Sequence, residues 1–148
     1  MTNSYKFKSP IGKSVMFFTQ NNLKPADLMN KTVLEVGAGC GRFTEIMLKY
    51  DARVIAVDYS SAIQANFHNH KQFSENDQLI CIQADVFDMP LKKNSFDTIL
   101  YLDVIEHIKK DKEEIKKAYR LLKPNGTLII CVPAFQFLYS LYDKKIGH

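Results

Sequence analysis

The sequence predicts a doubly wound α/β domain, a mostly parallel sheet with helices on both faces. Three observations point there. From residue 32 onward, short apolar runs alternate with amphipathic ones at the spacing of repeated β-α units. The runs are apolar at nearly every position, as strands are when helices cover both sides of a parallel sheet. A glycine-rich stretch, Gly37-Ala38-Gly39-Cys40-Gly41, directly follows the first run.

Each element has its own signal. Thr32 to Gly37 is the first strand, bounded by glycine. Phe43, Ile46, Met47 and Tyr50 then fall at i, i+3, i+4 and i+7, one face of a helix. Arg53 to Val57 is the second strand and ends at Asp58. Ser60 can cap a helix that carries Ile63, Phe67 and His70 on one side. Leu79 to Gln83 and Phe96 to Tyr101 are the third and fourth strands. Ile115, Ala118, Tyr119 and Leu122 repeat the helical stripe, and Thr127 to Val132 is the fifth strand. Between them Lys123-Pro124-Asn125-Gly126 reads as a turn, since Pro fixes φ and Asn and Gly accept positive φ. Residues 1–31 do not join this rhythm. Val15 to Phe18 and Leu28 to Met29 suggest a leading helix or two, broken at Pro25. The division is therefore a helical segment 1–31 and an α/β domain 32–148.

Bulk properties narrow the class. A chain of 148 residues buries roughly two-thirds of the surface it exposes unfolded, enough for one real core. The net charge of +4 is small, and Lys110 to Arg120 interleaves both signs, which reads as a solvated helix face rather than a nucleic-acid stripe. The apolar stretch Leu128 to Leu138 is too short to span a bilayer and is interrupted by Pro133. No signal peptide is evident, and Cys40, Cys81 and Cys131 are dispersed, which fits reduced thiols in a cytoplasmic protein. His68, His70 and His148 lack partners at ligand spacing, so no metal site is expected.

In such a sheet, ligands bind beyond the carboxyl ends of the strands, where the strand order reverses. The glycine loop lies there, and glycine lets the backbone turn sharply and a ligand come close. The helix after it offers free N–H groups and a positive dipole end. Asp58 is placed to accept from two ribose hydroxyls. A dinucleotide loop, G-x-G-x-x-G, would need Gly at position 42, where Arg42 stands. Glu35 is awkward in a buried strand unless it is oriented to the loop, holding backbone N–H groups or a ligand's ammonium. A glycine-rich turn with no ligand is the plainer alternative.

The motifs carry a resemblance. VLEVGAGCGRFT, VIAVDYS, CIQADVFDMPL, FDTILYLDVIEHI and LLKPNGTLIICVP, across residues 32–133, resemble the five successive motifs of class I S-adenosylmethionine-dependent methyltransferases. That resemblance implies a Rossmann-like sheet of order 3-2-1-4-5 with S-adenosylmethionine as cofactor. It implies the methionine moiety against Gly37 to Gly41, the ribose on Asp58, and adenine beside Tyr59 with Asp85 and Val86 at its edge. A backbone carbonyl near Tyr101 or Leu102 would accept from the ammonium, and Asp103 would lie at the mouth where the acceptor arrives. The plainer reading of Asp85, set second to its place at the adenine edge, is that it caps a short helix or turn beginning at Val86. His107 could serve as general base or be an ordinary surface histidine, and Arg42 could pair with the ligand carboxylate or be solvated.

The implied reaction is methyl transfer to a small-molecule or lipid/glycan-linked acceptor, with no nucleic acid expected. A non-catalytic cofactor-binding module and a nicotinamide-dependent oxidoreductase are the alternatives, the latter disfavoured by Arg42 and Glu35. Family members continue into a helix and a β6/β7 hairpin, whereas this sequence stops at His148. The expectation is then an exposed apolar edge along Leu128 to Val132, with Phe135, Phe137, Leu138, Tyr139 and Tyr142 uncovered. A shortened chain, self-association through that edge, or a partner completing the sheet would each follow.

Overall fold

The computed structural model describes residues 17–19 and 21–132. Five strands form one sheet: β1 (Thr32–Val36), β2 (Arg53–Asp58), β3 (Leu79–Gln83), β4 (Phe96–Leu102) and β5 (Leu122–Cys131). Their order is β3-β2-β1-β4-β5 and every pairing is parallel. Four α-helices connect them: α1 (Thr44–Lys49), α2 (Ala62–Asn69), α3 (Lys71–Ser74) and α4 (Asp111–Leu121). The order reverses between β1 and β4, so the carboxyl ends of those strands frame a crevice.

Alternate residues of each strand feed two cores. Val33, Val54, Ala56, Leu79 and Leu100 face Ile46, Met47 and Leu48 of α1 and Ile63 of α2. Leu34, Val36, Val57, Ile99 and Tyr101 face Ala118 and Leu121 of α4. Covering both faces is what makes the strands apolar throughout, and each fully buried Leu or Val side chain contributes roughly 1.5–3 kcal/mol. Phe17, Leu23 and Leu28, from the segment before the sheet, join the first of these cores.

Pro25 follows the helical residues 17–19 and opens a separate short 3-10 turn, Pro25–Asp27, where its missing N–H costs nothing. Several local expectations are corrected. Ser61 rather than Ser60 holds the N-cap of α2, while the Ser60 hydroxyl accepts from Ala62 N at 3.3 Å. The inner side of α2 is Ile63, Asn66 and His70, and Phe67 is exposed. On α4 the buried positions are Glu114, Ala118 and Leu121; Ile115 and Tyr119 face outward, and Leu122 already belongs to β5. On α2 only the middle position changes, Asn66 in place of Phe67, whereas on α4 the stripe turns by one residue; in each a polar side chain faces inward and finds a buried partner. The Lys110 to Arg120 face is consequently not wholly solvated.

The Lys123 to Gly126 turn lies inside β5 instead of preceding it. Leu122 pairs with Phe96, the four turn residues bulge out opposite Asp97, and pairing resumes at Thr127 with Thr98. Asn125 supplies positive φ (63°), and Lys123 Nζ meets Asp97 Oδ2 at 2.7 Å. Cys81 and Cys131 are half-buried on their strands, and Cys40 is exposed; all three are free. No helix among the described residues is long and apolar enough to cross a membrane. Val15 and the residues from Pro133 onward, including Phe135, Phe137, Leu138, Tyr139, Tyr142 and His148, lie outside the described residues.

Candidate functional site

The crevice is built from the segments that leave β1, β2, β3 and β4. Gly37 N and Ala38 N both donate to Val57 O, at 2.8 and 3.1 Å, which turns the glycine loop over the end of β2. Gly39 N then donates to Asp58 Oδ2 at 2.7 Å. Asp58 Oδ1 accepts from Ser60 N and Ser60 Oγ, each at 2.7 Å. A carboxylate offers about four lone-pair sites, so one remains open and the rotatable, exposed Ser60 hydroxyl can free another. That is the capacity a ribose diol requires. Ala84 N donates to Asp58 O at 3.0 Å and brings the loop after β3 alongside.

The three loop glycines all have positive φ, but for different reasons. A Cβ at Gly37 would overlap the Val104 side chain, so glycine lets the loop lie against the segment after β4. A Cβ at Gly41 would overlap Asn66 Oδ1 and come within 2.7 Å of His70 Cε1. At Gly39 (φ 51°) a Cβ would meet nothing within 4 Å. Gly39 therefore borders open space at the crevice, a cradle with room for an approaching ligand. Asp103, just beyond β4, also has positive φ (56°) and donates its N–H to Cys131 O at 2.9 Å. Aspartate tolerates this left-handed conformation, as Asn30, Asp51, Asp77 and Asn94 do in other turns of the chain.

Glu35 is buried, 3% exposed, on the face covered by α1. Its carboxyl accepts from the Thr44 hydroxyl, and the Thr44 backbone N–H at the start of α1 also bears on it. Burial pushes its pKa up to about 8 against the Thr44 bonds, and the nearby Asp58 charge adds to the rise. Thr44 Oγ1 in turn accepts from Asn66 Nδ2 at 2.9 Å, and Asn66 Oδ1 lies 2.9 Å from His70 Nδ1. Glu35, Thr44, Asn66 and His70 thus form one buried polar chain beneath the loop.

On the other face Tyr101 is fully buried, and its hydroxyl donates to Glu114 Oε1 at 2.5 Å. Burial, then that hydrogen bond and the Glu114 charge, raise the phenol's pKa. Of the two residues at the end of β4, Tyr101 is wholly buried and Leu102 keeps a little surface, 9% exposed. Asp85 is exposed; its Oδ1 accepts from Phe87 N at 2.9 Å, capping the 3-10 turn Val86–Asp88. The capping alternative thus accounts for one of its two oxygens. Tyr59 stands 79% exposed beside Asp58. His107 ends the 3-10 turn Ile105–His107 on the surface, and Arg42 lies 5.0 Å over the Phe43 ring.

Two contributions escaped the sequence pattern. Lys117 of α4 donates to the carbonyls of Val86 and Phe87, the latter at 3.0 Å, clamping the loop after β3. Its position in a run of alternating charges concealed this. Asn66 and His70 carried no motif either, although the inward i, i+4 spacing of two polar residues was a signal. Among the described residues, no three His, Cys, Asp or Glu side chains gather in a way that could hold a metal.

A parallel sheet with a glycine loop at its switch point and a carboxylate closing the next strand defines an α/β domain that holds a nucleoside-bearing cofactor. Residues 34–130 match the family model described as "Methyltransferase domain". The chain belongs to that family, the class I S-adenosylmethionine-dependent methyltransferases. It is 22% identical over 143 residues to a demethylmenaquinone methyltransferase of Clavibacter sepedonicus, covering 93% of this chain and 58% of that one. It is 29% identical over 116 residues to a ubiquinone biosynthesis O-methyltransferase of Coxiella burnetii, covering 78% and 49%. In structure it resembles an S-adenosylmethionine-dependent methyltransferase from Mesorhizobium loti, with a TM-score of 0.67, 15% identity and coverage of 79% and 52%. The chain spans about half the length of the curated relatives it matches.

Proposed function

We propose that the crevice binds S-adenosylmethionine and that the protein transfers its methyl group to a small-molecule or lipid/glycan-linked acceptor. The observation that carries the first part is the Gly39–Asp58 clamp with open space over Gly39. When bound, the cofactor supplies an electrophilic methyl group on its sulfonium. The chain's own task is to bind, align and exclude water. In this reading Gly37, Ala38, Gly39 and Gly41 cradle the methionine end, and the carbonyls of Tyr101 and Leu102 receive its ammonium. Asp58 holds the ribose, and Tyr59, Asp85 and Val86 border the adenine, with Lys117 fixing the last of these. Glu35 acts from beneath, through Thr44.

Asp103 and His107 follow β4, and we assign them to the acceptor, Asp103 at the mouth where it would arrive. His107 would take a proton from an oxygen acceptor as a general base. Two relatives are named for demethylmenaquinone and for ubiquinone biosynthesis and a third for tRNA U34 carboxymethylation, so the preference for a lipid-linked small molecule over a nucleic acid rests on the interleaved charges of the sequence. Residues 32–148 would be the cofactor domain and 1–31 a helical segment. Three free thiols support residence in a reducing cytoplasm. Association of two chains through the β5 edge, where Ile130 and Val132 are exposed, belongs to the same reading and is checked by light scattering.

The reaction is tested with methyl-tritiated S-adenosylmethionine, offered with a quinone-precursor lipid extract or with bulk tRNA. Label in the lipid fraction, lost in His107→Ala, is the expected result. Label in tRNA overturns the acceptor class. Cofactor binding without transfer to any acceptor points to a non-catalytic module.

A further inference from the structure

The glycine loop is held from below by the helix that follows β2. Helix α2 meets it at three points. Asn69 Nδ2 donates to Cys40 O at 3.4 Å, Asn66 lies where a Gly41 side chain would be, and Asn66 Nδ2 donates to Thr44 Oγ1. Gly41 O in turn receives Glu45 N at 3.0 Å, so the last loop glycine also begins α1.

The chain of bonds has a direction. His70 Nδ1 faces two oxygens, Asn66 O at 3.0 Å and Asn66 Oδ1 at 2.9 Å, and both can only accept. The imidazole therefore carries its proton on Nδ1. Asn66 then donates to Thr44, and Thr44 donates to Glu35. Every donor points toward Glu35, so the dipoles align and reinforce one another in a low-dielectric setting. Asn66 and Thr44 are fully buried and His70 is 7% exposed, so water offers no ready substitute partner. Asn66 fills the middle of this chain because it must accept on one side and donate on the other. No apolar residue of that volume could do so.

We propose that Asn66 and His70 are positioning residues for the glycine loop, setting its approach to the cofactor's methionine end. Both are buried beneath the loop, so they act on it through Thr44 and Gly41. The inference rests on the reading of the loop as the cofactor cradle, yet it has a consequence that needs no ligand. Loss of the Asn66 donor should loosen residues 37–44 while β4 and α4 stay as they are.

Two measurements on the same variants test this. The first is hydrogen exchange of the peptide covering 37–44 in the unliganded protein. The second is calorimetric titration with S-adenosylhomocysteine. Asn66→Asp keeps the shape but, wherever it is ionised, cannot donate to Thr44. Thr44→Val keeps the volume without the hydroxyl, and Thr44→Ser keeps the hydroxyl with less volume. One lost buried hydrogen bond corresponds to about tenfold in an equilibrium constant. We expect Asn66→Asp and Thr44→Val to speed exchange in 37–44 and weaken binding by about that factor, with Thr44→Ser close to wild type.

Unchanged exchange and affinity in both damaging variants would overturn the proposal. A Thr44→Ser defect as large as that of Thr44→Val would do the same, since it would show that packing alone is at stake. If Asn66→Asp does not fold, the Thr44 pair decides. If wild type gives no heat with S-adenosylhomocysteine while exchange still responds as expected, the cofactor reading fails and the positioning role stands.

Discussion

Asp58 Oδ2 accepts a hydrogen bond of 2.7 Å from the backbone N–H of Gly39, tying the end of β2 to the middle of the glycine loop. The carboxylate thereby shapes the loop with one oxygen while retaining capacity for a sugar. Gly39 is also the loop glycine whose missing side chain faces open space.

The glycines at 39 and 41 should therefore fail in different ways. Gly39→Ala meets no protein atom, and its positive φ costs about 1 kcal/mol. It should fold nearly as well as wild type yet lose roughly tenfold or more in cofactor affinity. Gly41→Ala drives a methyl group into Asn66 and should lose on the order of 2–4 kcal/mol of stability. Urea unfolding combined with titration separates the two.

Glu35 should make stability depend on pH. Its pKa rises from 4.5 to about 8 on folding, so between those values the folded chain holds a proton that the unfolded chain has released. Stability is then fully present below about 4.5 and falls as pH rises toward 8, by on the order of a few kcal/mol. Glu35→Gln, which is neutral throughout, should flatten that slope. Urea midpoints at pH 5, 6.5 and 8 for both proteins check it.

Tyr101 and Glu114 should behave as a unit. Tyr101→Phe leaves a fully buried Glu114 without its donor, and Glu114 Oε2 already lacks a partner among the described residues. The expected loss is about 2–4 kcal/mol. Replacing both, as Tyr101→Phe with Glu114→Leu, should be milder than Tyr101→Phe alone. A double-mutant cycle measured by urea unfolding shows whether it is.

The sheet was legible because apolar runs, glycine punctuation and helical stripes all agree on one topology. β3 falls on Leu79–Gln83 as read, and the other strands differ mainly at their ends. The helix faces were less legible where a polar residue turns inward. Asn66 and Glu114 look like solvent positions until Thr44 and Tyr101 are known to lie opposite them, and such partners are set by tertiary packing. For the same reason the pattern assigned Lys117 to solvent, although it clamps the loop after β3. Asp85 showed both of its readings in the sequence, and its bond to Phe87 N realises the local one.

The most direct test of the central claim is isothermal titration of S-adenosylhomocysteine into wild type and Asp58→Ala. Binding at one site per chain is expected. Loss of the bonds to a charged carboxylate should weaken it by roughly two orders of magnitude in Asp58→Ala. Equal affinity in the two proteins, or no heat with folded wild type, would contradict the account.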